Sequence, residues 1–184
     1  MESQKIIHTI ASGRKTLSLE FFPPKSDKAV KQLKESSRNL AKISPNFVSI
    51  TYGAGGSTRK STFAYAEKLR TDHDYKVMPH LTCVGHSQNE LAEIIQQYQE
   101  AGFKTLMALR GDPQGDGQIF TPHPYGFQYA NQLVDFIKSK FPNFEIGVGG
   151  YPEKPPESPS LTKDIQNLKK KVDVGADFIT TQLF

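Results

Sequence analysis

The chain has 184 residues, 36% hydrophobic and 23% charged, enough for one domain with a real core, and no apolar run is long enough to cross a membrane. Its formal charge of +4 comes from basic residues scattered among acids, with no Lys/Arg run interleaved with aromatics, which argues against a nucleic-acid partner. The single cysteine, Cys83, excludes an internal disulfide; with an N-terminus (Met1 to Lys5) that lacks the build of a signal peptide, it makes a reducing cytoplasm the expected setting.

Residues 1–16 read as an N-terminal extension, and 17–184 as one domain of alternating strands and helices. In Leu17-Ser-Leu-Glu-Phe-Phe-Pro-Pro24, Leu17, Leu19 and Phe21 alternate with Ser18 and Glu20, the period of a strand with two unlike faces. The prolines stop it, so Glu20 sits at its C-terminal end. Ser26 or Asp27 caps a helix carrying Val30, Leu33 and Leu40. Asn46 to Thr51 forms a second strand, and a glycine-rich loop, Tyr52 to Ser57, leads to a helix with Phe63, Ala66 and Leu69. Val77 to Leu81 is the third strand, and Ser87 to Glu90 is a capping box before a helix with Leu91, Ile94, Ile95 and Tyr98. Gly102 closes that helix in the left-handed conformation. Lys104 to Leu109 is a strand apolar on both faces, and a long loop from Gly111 to Gly126 precedes a helix with Ala130, Leu133, Val134 and Ile137. Glu145 to Gly149 is the fifth strand. A proline-rich loop, Tyr151 to Ser160, leads to a helix whose core stripe is Leu161, Ile165, Leu168 and Val172, closed by Gly175. Asp177 to Gln182 is the sixth strand.

Strand–helix–strand units at spacings of about thirty residues mean a parallel sheet with crossover helices. Two architectures fit: an open doubly wound sheet or a (β/α)8 TIM barrel. The strand ends carry Glu20, Thr51, His80, Arg110 with Asp112, Tyr151 and Gln182, and such a ring of contributions favours the barrel. No dinucleotide fingerprint follows the first strand, and no Walker-type phosphate loop occurs. Six strands fall short of eight, so the expectation is a barrel truncated after about six strands, with an unpaired edge.

Several residues carry potential chemistry. In Leu109-Arg-Gly-Asp112, Gly111 permits close backbone approach to a ligand, Arg110 can hold a phosphate or carboxylate, and Asp112 can accept hydrogen bonds from a heterocycle. An Arg110–Asp112 pair serving only the turn explains the motif equally well. His80 ends a strand, where a structural role is the commoner one, and no metal-ligand spacing surrounds it. Cys83 reads as a buried thiol. On the last helix, Asp164, Asn167, Lys170 and Lys171 recur at helical spacing, as either a solvated face or a ligand-facing one.

In order and spacing, Leu19-Glu-Phe-Phe-Pro-Pro24, Val48-Ser-Ile-Thr-Tyr-Gly-Ala54, Pro79-His-Leu-Thr-Cys83, Ala108-Leu-Arg-Gly-Asp112, Gly150-Tyr-Pro-Glu153, the run from Leu168 to Ala176 and Thr181-Gln182 resemble the methylenetetrahydrofolate reductase family. The resemblance implies a (β/α)8 barrel binding FAD at its C-terminal face, reduced there by NADH or NADPH before folate takes the reductant's place. It implies that Glu20 is the general acid that opens the imidazolidine ring of 5,10-methylenetetrahydrofolate. Asp112 then lies by flavin and pterin, Gln182 contacts folate and Thr51 lies on the nicotinamide side. Tyr52, Ala54, His80, Arg110, Gly111, Asp112, Ala130, Tyr151, Asp164, Asn167, Lys170 and Lys171 match FAD-binding positions. The full-length protein is expected to be a homo-oligomer, with no metal. Pro155 stands where some relatives carry histidine, Lys170 stands where arginine is frequent, and the last two barrel units, which supply further folate contacts, are missing. Another flavin barrel, such as a proline oxidase, fits the Glu-Phe-Phe-Pro-Pro and Arg-Gly-Asp motifs less well, and a flavin- or partner-binding remnant without catalysis is the alternative from another class.

Overall fold

The computed structural model describes residues 5–53, 59–113, 120–155 and 157–184. In chain order the elements are α1 (Ile6–Ile10), β1 (Ser18–Phe21), α2 (Asp27–Ala41), β2 (Phe47–Ile50), α3 (Arg59–His73), β3 (Val77–Thr82), α4 (Gln88–Glu100), β4 (Thr105–Leu109), α5 (Ala130–Lys140), β5 (Glu145–Gly150), α6 (Leu161–Asp173) and β6 (Phe178–Thr181). Local chemistry sets their limits. The Ser26 hydroxyl accepts from the Ala29 amide at the start of α2. Ser87 and Glu90 cap α4 reciprocally: Ser87 Oγ accepts from the Glu90 amide, and Glu90 Oε2 accepts from the Ser87 amide at 2.8 Å. Gly102 follows α4 at φ +87°, where a side chain would be strained.

All five strand pairings are parallel, and the strands lie in sequence order from β1 to β6. That order decides between the two architectures. An open doubly wound sheet reverses direction at a switch point, whereas a barrel adds each strand beside the last. The result is an α/β half-barrel. Its main core lies where helices cover the sheet and includes Val48, Ile50, Leu81, Leu91, Ile95, Leu106, Leu133, Ile137, Ile146 and Val148. The concave face has a smaller cluster of Ile6, Phe47, Met78, Met107 and Phe178. Gly147 leaves room for the Phe178 ring: a Cβ there would stand 2.7 Å from two of the ring carbons.

The sequence-based reading of α6 needs correction. Leu161, Ile165 and Val172 were expected in the core, but they are 46%, 56% and 44% exposed. Of the stripe, only Leu168 packs on the main core. The physical reason is the position of α6 at the β6 side of the sheet, where β6 pairs with β5 alone among the described strands. A helix in a barrel needs elements on both flanks to bury a full apolar stripe.

The segment ahead of β1 is tied to the sheet. Glu145, the first residue of β5, is buried, and its carboxyl oxygens accept from the amides of Ile6 at 2.7 Å and Ile7 at 2.8 Å. The Thr105 hydroxyl, at the start of β4, donates to the same side chain at 2.6 Å. Thus α1 lies across the N-terminal ends of the strands and sends Ile6 into the concave core. Glu145→Gln turns one acceptor oxygen into a donor facing donors, and an unsatisfied buried polar group costs about 1–3 kcal/mol. Urea unfolding should show a loss of that size, with faster hydrogen exchange at Ile6 and Ile7; an unchanged midpoint would mean the clasp contributes nothing.

Candidate active site

The C-terminal ends of the strands bring together most of the residues singled out in the sequence. Register makes Glu20 on β1, Ser49 on β2 and Met78 on β3 neighbours across the sheet. Period-two alternation then puts Glu20, Ser49 and His80 on the concave face, because their neighbours Leu19, Phe21, Val48, Ile50 and Leu81 belong to the helix-covered core. Ser49 Oγ donates to Glu20 Oε2 at 3.3 Å, and His80 Nε2 lies 3.5 Å from that same oxygen. The Glu20 side chain is 50% exposed, whereas that of His80 is 12% exposed. Burial lowers the His80 pKa from the usual 6.5 to about 4, outweighing the pull of the nearby carboxylate, so the ring is neutral at neutral pH. One Glu20 oxygen therefore accepts from Ser49 and stands beside a neutral His80 whose Nε2 makes no hydrogen bond, and the side chain still reaches the open mouth.

At the end of β2 the Thr51 amide donates to the Phe21 carbonyl at 2.9 Å, and Thr62 Oγ1 of α3 donates to the Thr51 carbonyl at 3.2 Å. This fixes the next residue, Tyr52, whose hydroxyl is 3.0 Å from His86 Nε2. Ala54 lies outside the described residues.

After β4, Gly111 adopts φ +89° and passes so close to β3 that a Cβ would stand 2.5 Å from Val84 Cγ1 and 2.9 Å from Thr82 Cβ. Only glycine fits. The Cys83 thiol donates to the Arg110 carbonyl at 3.3 Å, and burial pushes its pKa up to about 11, which leaves it protonated and inert at neutral pH. Arg110 does not close a private pair with Asp112. Its Nη1 and Nη2 donate to the two carboxylate oxygens of Glu157, at 2.7 and 3.1 Å, while its guanidinium stands 4.8 Å from the Phe120 ring centroid. The pairing raises the Arg110 pKa and lowers that of Glu157. Asp112 is exposed and acts on Arg110 and Tyr151 through its charge. Tyr151 follows β5 with its phenol pKa raised, first by burial and then by Asp112.

On α6 the polar set divides. Lys171 Nζ donates to the Gly149 carbonyl at 2.9 Å, and burial lowers its pKa, opposed by the charge of Asp164. Asp164 is half-buried, while Asn167 and Lys170 are exposed. Ala130, the first residue of α5, is buried. The Gln182 amide donates to the Gly150 carbonyl at 2.8 Å, continuing the β5–β6 ladder and leaving the side chain exposed.

Sequence reading missed Ser49, His86 and Glu157. Ser49 carried a signal in its alternation with Val48 and Ile50, but its partner depended on strand register. Glu157 gave none, because nothing in a proline-rich loop says which strand end it will meet.

The methylenetetrahydrofolate reductase family model matches residues 5–184. The chain belongs to that family. It is 39% identical over 173 residues to the 5,10-methylenetetrahydrofolate reductase of Pectobacterium carotovorum, covering 94% of this chain and 55% of that protein. It is 38% identical over 184 residues to methylenetetrahydrofolate reductase 1 of Schizosaccharomyces pombe, covering 99% of this chain and 30% of that protein. The chain thus spans about half, or less, of the relatives it matches. Among solved structures, a 2,3-dimethylmalate lyase superposes with a TM-score of 0.66 at 8% identity, over 98% of this chain and 63% of that one. An oxaloacetate acetylhydrolase superposes with a TM-score of 0.65 at 11% identity, over 99% and 63%. At those identities the likeness is one of fold.

Gly111→Ala tests the close approach of β4's end to β3 in this family member. A methyl group at positive φ, pressed on Val84 and Thr82, should cost about 1–3 kcal/mol in a denaturant melt. Adding Val84→Ala should recover only part of that loss, since the backbone strain and the contact with Thr82 remain; full recovery would show that the Val84 methyl alone matters.

Proposed function

We propose that this chain forms part of the catalytic barrel of an enzyme that reduces 5,10-methylenetetrahydrofolate to 5-methyltetrahydrofolate, with FAD as cofactor and NADH or NADPH as reductant. The observation that carries the reading is Glu20: a carboxyl at a strand end, half-exposed to the mouth, with one oxygen accepting from Ser49 beside a neutral His80 ring. Family membership supplies the substrate class.

The residues present suit FAD. Arg110, just past β4, and Lys171, on α6 with its Nζ at the Gly149 carbonyl of β5, offer cationic donors, and Lys170 adds a third on the exposed face of α6. These would meet the phosphates, while Asp164 and Asn167 would accept from or donate to ribose hydroxyls. Gly111 carries no side chain and lets the turn between Arg110 and Asp112 pack against Thr82 and Val84. Tyr52, His80, Ala130 and Tyr151, with Ala54, are the further positions that the resemblance assigns to FAD. FAD, when bound, would supply the hydride that reduces the one-carbon unit.

The chain's own residues would prepare the folate. Opening the five-membered ring to its reactive iminium requires a proton on a departing amine nitrogen. Glu20 in its protonated form would deliver it from the oxygen not engaged by Ser49. Asp112 would orient the pterin by accepting its ring N–H groups, Gln182 would hydrogen-bond folate, and Thr51 would line the nicotinamide side. The full-length protein is read as a cytoplasmic homo-oligomer.

The test uses protein expressed from the complete reading frame. It should purify yellow with non-covalent FAD; colourless protein that fails to quench added FAD would remove the cofactor from the proposal. Glu20→Gln keeps shape and most hydrogen bonding but removes the acid. Rapid-reaction absorbance should show flavin reduction by NAD(P)H nearly unchanged and reoxidation by methylenetetrahydrofolate at least about a hundredfold slower. Equal slowing of both half-reactions would make Glu20 a flavin contact, and slowing of neither would make it structural.

A further inference from the structure

We infer that Glu157 is a positioning residue of the flavin site, fixing Arg110 and joining the loops after β4 and β5 into one wall; the inference rests on the FAD reading above. Arg110 ends on a side chain with several rotatable bonds, 30% exposed at the sheet's mouth. Left alone, it would sample many rotamers, and a ligand would have to order it. Two contacts remove that freedom. Glu157 takes the guanidinium end-on through both terminal nitrogens, which fixes the fork in its plane. Phe120 stands against the guanidinium with its ring, which limits tilt.

The end-on pair uses one N–H on each terminal nitrogen, and Nε makes only a long contact of 3.4 Å to the Gly111 carbonyl. Donors therefore remain for an anionic ligand, already aimed. The pair also spans 47 positions of sequence: Arg110 sits just past β4, and Glu157 sits in the loop between β5 and α6. Each loop brings a further expected cofactor residue, Asp112 on one and Tyr151 on the other, and the charges of Arg110, Asp112 and Glu157 all act on the Tyr151 phenol. Glu157 itself is 62% exposed, so as a surface ion pair it adds little to folding. Its effect belongs to ligand binding, where a preordered side chain spares the ligand an ordering cost.

The experiment compares wild-type protein from the complete reading frame with Glu157→Ala and Glu157→Gln, using FAD fluorescence quenching on the apoprotein and hydrogen exchange without ligand. Glu157→Ala should weaken FAD binding about three- to tenfold, the range expected for ordering one long side chain on binding. It should speed exchange in both residues 110–113 and 157–160, and leave the apoprotein melting point unchanged. Glu157→Gln, which keeps one acceptor oxygen, should fall between wild type and Glu157→Ala. Wild-type affinity in Glu157→Ala overturns the proposal, and tighter binding overturns it by showing that Glu157 competes with the cofactor for Arg110. Unchanged exchange in the two loops shows that no clasp exists in solution. If wild-type protein binds no FAD, the flavin reading itself has failed and the cofactor role falls with it, which the wild-type titration reveals before any variant is compared.

Discussion

Parallel pairing of neighbouring strands in strict chain order is the constraint on which the rest of this molecule depends. Each strand's hydrogen bonds fix its register against the strand before, and alternate residues must then point to opposite faces. One face is sealed by helices over Val48, Leu81, Leu106 and Ile146. The other face receives what remains, and at the C-terminal ends that means Glu20, Ser49 and His80. A slip of one residue in β1 would turn Glu20 into the helix layer and Leu19 into the mouth. The chemistry of the site therefore rests on the packing of the core behind it.

The two ends of the sheet are treated differently. At the N-terminal end, a buried carboxyl on Glu145 collects three donors and binds α1 to β4 and β5. At the C-terminal end, polar groups keep exposed surface, as Glu20, Arg110 and Tyr151 do. Saturated hydrogen bonding gives rigidity, and unsaturated polar groups at an open mouth leave donors and acceptors for a ligand.

Burial also sorts the titratable groups of the mouth. His80 is kept neutral at neutral pH because taking its imidazolium out of water costs more than the adjacent carboxylate returns. Cys83 stays protonated for the same reason, so its thiol is a packing group. Lys171 has its charge disfavoured by burial and partly restored by Asp164. Arg110 keeps its charge, and Glu157 neutralises it from outside.

Much of this was legible in the sequence, because local physics decides it. Period-two patterning marked the strands, Ser87 and Glu90 marked a helix start, and Gly102 marked a helix end. The polar ends of the strands, and with them Glu20, His80, Arg110 and Gln182, followed from knowing where each strand stopped. Three things did not follow. The strand order that bears out the barrel favoured by the polar strand ends is a matter of long-range pairing. The exposure of Leu161, Ile165 and Val172 depended on what lies beside α6, whereas an apolar stripe records only that something should. The partners Ser49–Glu20, Glu145–α1 and Glu157–Arg110 join residues 29, about 139 and 47 positions apart. No sequence period reaches across such distances; only the closing of the sheet brings those side chains within hydrogen-bonding range.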